Sequence, residues 1–140
     1  MKQEIIVNGI LENNGKILLA KRAMTKKIAP GKYHLAGGHV EFGEWPEQAL
    51  IREFMEEFKL AVKPTQIIRT FSYINDDTHT IGITYTLTAK HMQEPLFFEP
   101  QDNESIVWAT KDDLHRYLKA DDQDFITLSL YFNSVAATPA

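Results

Sequence analysis

The chain reads as an α/β protein in which a mixed β-sheet lies between helical layers. Three observations predict this. Segments rich in β-branched and aromatic residues are interleaved with two or three segments of helical periodicity along the 140 residues. No internal repeat or long linker separates them, so residues 1–140 are expected to form one domain. That length suffices to bury a good core.

Ile5 to Leu11 and Ile17 to Ala20 are short apolar runs around Asn13-Asn14-Gly15, which predicts a hairpin. Met24 to Lys32 is polar, contains Pro30-Gly31 and reads as a loop. Tyr33 to Ala36 is a brief strand leading into a Gly37-Gly38 turn. A helix is expected from Pro46, because proline suits the first helical position. Gln66 to Ile74 and Thr80 to Ala89 form two longer strands around the polar Asn75-Asp76-Asp77 turn. Glu104 to Ala109 is a further strand, and Thr110-Lys111-Asp112-Asp113 resembles a capping box opening a helix with Leu114, Tyr117 and Leu118. Phe125, Leu128 and Phe132 recur at helical spacing, and the small residues from Ser134 to Ala140 suggest a loose tail.

Composition narrows the function. A net charge of −4 offers no surplus of cations to a phosphate backbone, which argues against a nucleic-acid polymer as partner. The absence of cysteine excludes disulfides and thiolate zinc sites. No signal core and no apolar run of about 18 residues is found, so a cytoplasmic location is expected.

The chemistry concentrates between Gly38 and Leu60. Glu53, Glu56 and Glu57 fall within one sector of roughly 100° on a helix, while Leu50, Ile51, Phe54, Met55 and Phe58 occupy the other side. Like charges on adjacent turns repel, and a divalent cation is the natural offset. Carboxylate oxygens at this density suit Mg²⁺, with Mn²⁺ as a substitute. An isolated E-x-x-E-E is ordinarily a solvated helix face; Gly37-Gly38 and Glu44 at fixed distances favour a site instead.

This segment resembles the Nudix box, G-x5-E-x7-R-E-U-x-E-E-x-G-U with U a bulky aliphatic residue. Gly38, Glu44, Arg52, Glu53, Glu56, Glu57 and Leu60 fill their slots. Phe54 is aromatic where the pattern is aliphatic, Lys59 replaces the glycine, and Ala36 replaces a usual proline. The likeness to MutT-like members extends from about residue 4 to about residue 119. It implies an α/β/α sandwich with a central mixed sheet. It also implies a hydrolase of phosphoanhydride bonds whose partner is a small nucleotide, and it is compatible with a homodimer.

By this resemblance Glu53, Glu56, Glu57 and the Gly37 carbonyl would hold the metal. Arg52 would orient the glutamates, and Glu44 would give structural support. Glu53 and Glu104 are the candidate general bases. Arg22, His34 and Gly38 are candidate substrate contacts, and Phe71, Tyr73 and Tyr85 could stack on a base. His39, His79, His91 and His115 show no metal-ligand spacing and read as surface residues. The leading expectation is a Mg²⁺-dependent pyrophosphohydrolase that converts a nucleoside triphosphate to monophosphate and pyrophosphate. A hydrolase of ADP-ribose, a nucleotide sugar or a dinucleoside polyphosphate is the alternative. Asn75, Asp76, Asp77 and Thr78 stand where ADP-ribose and dinucleoside-polyphosphate members carry a marker proline or tyrosine. A catalytically silent nucleotide-binding module is a third reading, weakened by retention of the whole glutamate cluster.

Overall fold

The structure, a computed structural model, describes residues 1–27 and 29–137. The central strand β1 (Lys2–Asn13) turns through Asn14, at φ 54°, and Gly15 into β2 (Lys16–Arg22). After a loop come β3 (Tyr33–His34) and β4 (Gly37–His39), followed by α1 (Pro46–Phe58). The long hairpin β5 (Lys63–Asn75) and β6 (Thr78–Thr88) precedes β7 (Asn103–Ala109). A 3₁₀ turn (Lys111–Asp113), the one-turn helix α2 (Leu114–Tyr117) and α3 (Gln123–Ala137) close the chain.

The seven strands make one open sheet in the order β3-β2-β1-β6-β5, with β4 beside β1 and β7 beside β2. β1 runs parallel to β6 from Lys2↔Thr78 to Leu11↔Leu87, and the other pairs are antiparallel, so the sheet is mixed as expected. Strand alternation divides the core in two. Val7, Leu11, Leu18 and Ala20 point to α1 and meet Leu50, Phe54 and Phe58. Ile10, Ile17 and Leu19 point the other way, to Leu114, Leu118 and Leu128. The helices therefore cover both faces. Phe54 is fully buried, and truncating it to alanine would cost about 3–5 kcal/mol.

Several local expectations change. Gly37 and Gly38 lie in β4, paired with Asn8 and Val7, rather than in a turn. Ile51 and Met55 are exposed and Glu57 is buried, so the covered face of α1 is rotated from the one its apolar residues suggest. The Thr110 hydroxyl bonds the Asp113 carboxylate at 3.0 Å instead of a backbone amide, and the segment starts as a 3₁₀ turn, not a capped α-helix. α3 continues through Ala137 into the expected loose tail, whose residues 138–140 lie outside the described residues. Among the described residues no helix is long and apolar enough to cross a membrane.

Candidate active site

The site grows from α1. Pro46 occupies its first turn, and the Trp45 amide donates to Gln48 Oε1 at 3.0 Å, closing the N-terminal end. At the other end Lys59 adopts the left-handed conformation, φ 50° and ψ 38°, that glycine usually supplies. Its amide donates to the Met55 carbonyl, and its ammonium lies 5.2 Å from the centre of the Phe97 ring. The glycine-to-lysine departure thus leaves the helix end in the ordinary geometry.

Between these ends Arg52 organises the carboxylates. It donates Nε and Nη2 to the two oxygens of Glu44, at 2.8 and 3.0 Å, a bidentate pairing that holds Glu44 at a pKa of about 2. Arg52 Nη1 reaches Glu53 at 3.0 Å and Glu56 at 3.4 Å, and Nη2 also reaches the His39 carbonyl at 3.0 Å. The Glu44 hydrogen bonds push the guanidinium pKa above its ordinary range, so the charge is permanent. Glu44 in turn accepts from the Glu41 amide and folds the loop before α1. One arginine ties that loop, β4 and the glutamates together.

Glu57 is the anomaly. It is only 5% exposed, its Oε1 accepts from Asn103 Nδ2 at 2.9 Å, and its Oε2 is buried without a donor. Burial pushes its pKa up to about 8, with the neighbouring Glu53 carboxylate adding to the rise. Burial also raises Glu53. Two partly desolvated carboxylates therefore face each other, an arrangement that favours a proton or a cation between them. A Cβ at Gly38 would collide with the Glu53 carboxylate, and one at Gly37 with the Val7 carbonyl, so only glycine admits this approach.

This donor set fits a hard divalent ion: oxygen ligands, one buried oxygen lacking a donor, and bare backbone alongside. Among the described residues no three acidic or histidine side chains converge on one point as they stand, because Arg52 draws Glu53 and Glu56 while Asn103 draws Glu57.

Glu53 and Glu57 border a cleft of about 630 Å³ that runs over β1 toward α3. Arg22, His34 and Gly38 all line it, as expected. The Arg22 Nε is buried with no acceptor, so one charged N–H at the cleft is left without a partner. His34 bonds Asn103 Oδ1 through Nε2 at 3.3 Å, so a chain His34–Asn103–Glu57 joins the cleft to the buried glutamate. Phe71 and Tyr73 line the opposite end, with near-parallel rings 6.3 Å apart.

Other expected residues are placed elsewhere. Glu104 does not line the cleft; it pairs with Lys21 at 3.3 Å, because β7 turns Asn103 inward and its neighbour out. Tyr85 lies on the α1 side, where its hydroxyl donates to Glu47 at 2.6 Å, so it cannot stack in the cleft. His39 is exposed, as expected, and at the rim of the cleft it pairs with Glu4 at 2.8 Å. Asn8, Asn103 and Asp124 were not among the expected residues. Asp124 accepts from the Leu35 amide at 2.9 Å and Asn8 Nδ2 at 3.2 Å, and burial pushes its pKa up. No motif marks them; their strand and helix partners lie too far along the chain.

A family model described as the NUDIX domain matches residues 2–128. The chain is 34% identical over 124 residues to "Nucleoside triphosphatase NudI" of Enterobacter sp. (strain 638), covering 82% of this chain and 87% of that protein. It is 32% identical over 128 residues to the protein of the same name from Escherichia coli O17:K52:H18, covering 84% and 89%. Among solved structures it resembles the Escherichia coli ORF135 protein, with TM-score 0.78 and 27% identity over 100% of this chain and 96% of that one. A MutT protein from Methanosarcina mazei Go1 shares the fold, with TM-score 0.79, 18% identity and coverage of 97% and 96%.

Proposed function

The chain belongs to the NUDIX family, hydrolases of phosphoanhydride bonds that generally use a divalent metal, and from that premise we propose that it cleaves a nucleoside triphosphate to the monophosphate and pyrophosphate. The observation that carries this reading is the facing pair Glu53 and Glu57 at one end of a cleft that also holds the unpartnered Arg22 Nε. The cleft is large enough for a nucleotide. Relatives named nucleoside triphosphatase, at 34% and 32% identity, support the same substrate class. The whole chain acts as one catalytic domain in the cytoplasm, on free nucleotides.

The preferred ion is Mg²⁺, and Glu53, Glu56, Glu57 and the Gly37 carbonyl would hold it. When bound it supplies neutralisation of the phosphate oxygens that otherwise repel a nucleophile. The chain's own residues do the rest. Arg52 holds Glu53 and Glu56 to one side of the helix and keeps Glu44 folded against the loop. Arg22 takes a phosphate oxygen, relieving its buried Nε. Glu53, between Arg52 and Glu57, receives the proton of the attacking water. Glu104, beside Lys21, has no part in this scheme. His34, through Asn103, keeps the Glu57 carboxylate turned toward Glu53.

Hydrolysis in ¹⁸O-labelled water tests the reading. Attack at the β phosphorus puts label in pyrophosphate and none in the monophosphate. Label in the monophosphate means that the substrate sits one phosphate out of register. Release of orthophosphate with a nucleoside diphosphate excludes the proposal, and so does cleavage of ADP-ribose or dinucleoside polyphosphates with no triphosphate turned over.

A further inference from the structure

β5 carries a bulge where it passes α3. Ile67 pairs with Tyr85 and Arg69 with Thr84, so the step of two residues on β5 spans one on β6. A bulge re-aims side chains. Here Ile68 packs into the cluster on the α3 side, and Arg69, its neighbour, also points at α3.

The Arg69 guanidinium is committed to one helical turn. Its Nη1 donates to the Gln123 side-chain oxygen at 2.8 Å, to Thr127 Oγ1 at 3.2 Å and to the Gln123 carbonyl at 3.3 Å. Thr127 is fully buried and bonds the same carbonyl at 2.9 Å. The guanidinium carbon lies 5.4 Å from the centre of the Phe71 ring. That ring is seated on the bare backbone of Gly82, where any Cβ would strike it.

These contacts connect two walls of the cleft. Phe71 and Tyr73 form one wall from β5, and Asp124, next to Gln123, forms the other from α3. Arg69 does not line the cleft. We propose that Arg69 is a positioning residue that fixes the spacing between the aromatic and acidic walls, and so sets discrimination among nucleosides. A rigid planar fork that bonds one element while lying on an aromatic ring of another fixes their relative placement, which a flexible ammonium or an apolar contact does less well. The inference rests on the nucleotide-hydrolase reading above.

Arg69→Met keeps the stem and removes every donor. KM for CTP, UTP, ATP and GTP and the inhibition constant of inorganic tripolyphosphate, which lacks a nucleoside, are measured for the parent, Arg69→Met and Arg69→Lys. The expected result is a KM raised roughly tenfold for the preferred nucleotide, with kcat changed less than about threefold. The spread of kcat/KM across the four bases narrows, the tripolyphosphate constant is unmoved, and Arg69→Lys recovers part of the loss. An unchanged KM overturns the proposal, as does a parallel rise in KM and the tripolyphosphate constant. Should Arg69→Met not fold, Thr127→Val removes one acceptor from the clamp and must shift KM in the same direction; no shift overturns the proposal. If the parent cleaves no triphosphate, the hydrolase reading fails. Calorimetric Kd values for the same four nucleotides and tripolyphosphate then decide the role of Arg69 by the same criterion.

Discussion

The glutamate end of the cleft takes its carboxylates and glycines from residues 37 to 57, whereas the rest of the lining draws Asn8 from β1, His34 from β3, Phe71 and Tyr73 from β5 and Asp124 from α3. The first end is electrostatically unfinished: two carboxylates face each other, and a buried Glu57 oxygen has no donor. The second is internally satisfied. The Thr84 hydroxyl donates to Asn8 Oδ1 at 2.6 Å, Asn8 donates to Asp124, and Arg69 closes the first turn of α3. An end left short of positive charge is suited to chemistry, because an ion and a phosphate complete it. An end already bonded is suited to recognition, because its shape is set before a ligand arrives. Mutations should therefore separate kcat from KM according to the end they touch.

The largest expected effect is at Glu57. Glu57→Gln should lower kcat by on the order of 100-fold or more, because the amide cannot supply the anionic ligand. The fold should survive, since burial already favours a neutral group at this position. Glu56→Gln should also lower kcat, but less, because its side chain is 57% exposed and its geometry is less constrained. Turnover within a few-fold of the parent in Glu57→Gln at saturating Mg²⁺ would dismantle the assignment of this end.

At the other end, Phe71→Ala should raise KM by roughly tenfold and leave kcat nearly unchanged, the size expected for loss of one base–aromatic contact. A kcat loss as large as that at Glu57 would erase the distinction between the two ends. Steady-state kinetics on a single nucleoside triphosphate, with both variants side by side, gives the comparison directly.

The pH dependence of stability sharpens it further. Glu57 in the folded, metal-free protein has a pKa of about 8, above its unfolded value near 4.3. Its contribution is complete below that lower value and is lost as pH rises through about 8, so the metal-free Tm should fall across this window. Asp124, also raised by burial, contributes with the same sign. Mg²⁺ should reverse the part that comes from Glu57 and Glu53, both raised by burial, and leave the Asp124 part, because ion binding replaces the proton at the glutamates alone. The Tm gain on adding Mg²⁺ should therefore grow with pH and be much smaller in Glu57→Gln. A gain that is constant with pH would mean that no proton is displaced.

The smallest effect is expected at Lys59. Its left-handed backbone costs a side-chain-bearing residue roughly 1 kcal/mol, while its place over Phe97 returns about 0.5 kcal/mol. Lys59→Gly should thus be neutral or slightly stabilising in urea unfolding, with kinetics untouched at both ends of the cleft. A loss beyond about 1 kcal/mol would show that the helix continues right-handed through this position.

The glutamate end was legible in the sequence because its geometry is local. Spacing along one helix places Glu53, Glu56 and Glu57 together, and Arg52 and Glu44 lie within the same short segment. Strand and helix positions were legible for the same reason, from turn residues and apolar periodicity. What the sequence left open was decided by pairing across long separations. Asn8 meets Asp124 across 116 residues and His34 meets Asn103 across 69, and no pattern in either segment records its partner. Strand register then decides which residue faces the cleft. Because alternation has a period of two, a one-residue difference puts Asn103 beside Glu57 and turns Glu104 to Lys21. The same alternation sends Tyr85 to α1, while the bulge at Ile68 turns Arg69 to α3. The chain thus sets its glutamate cluster through neighbours in sequence, and the rest of the cleft only once the sheet has brought distant residues together.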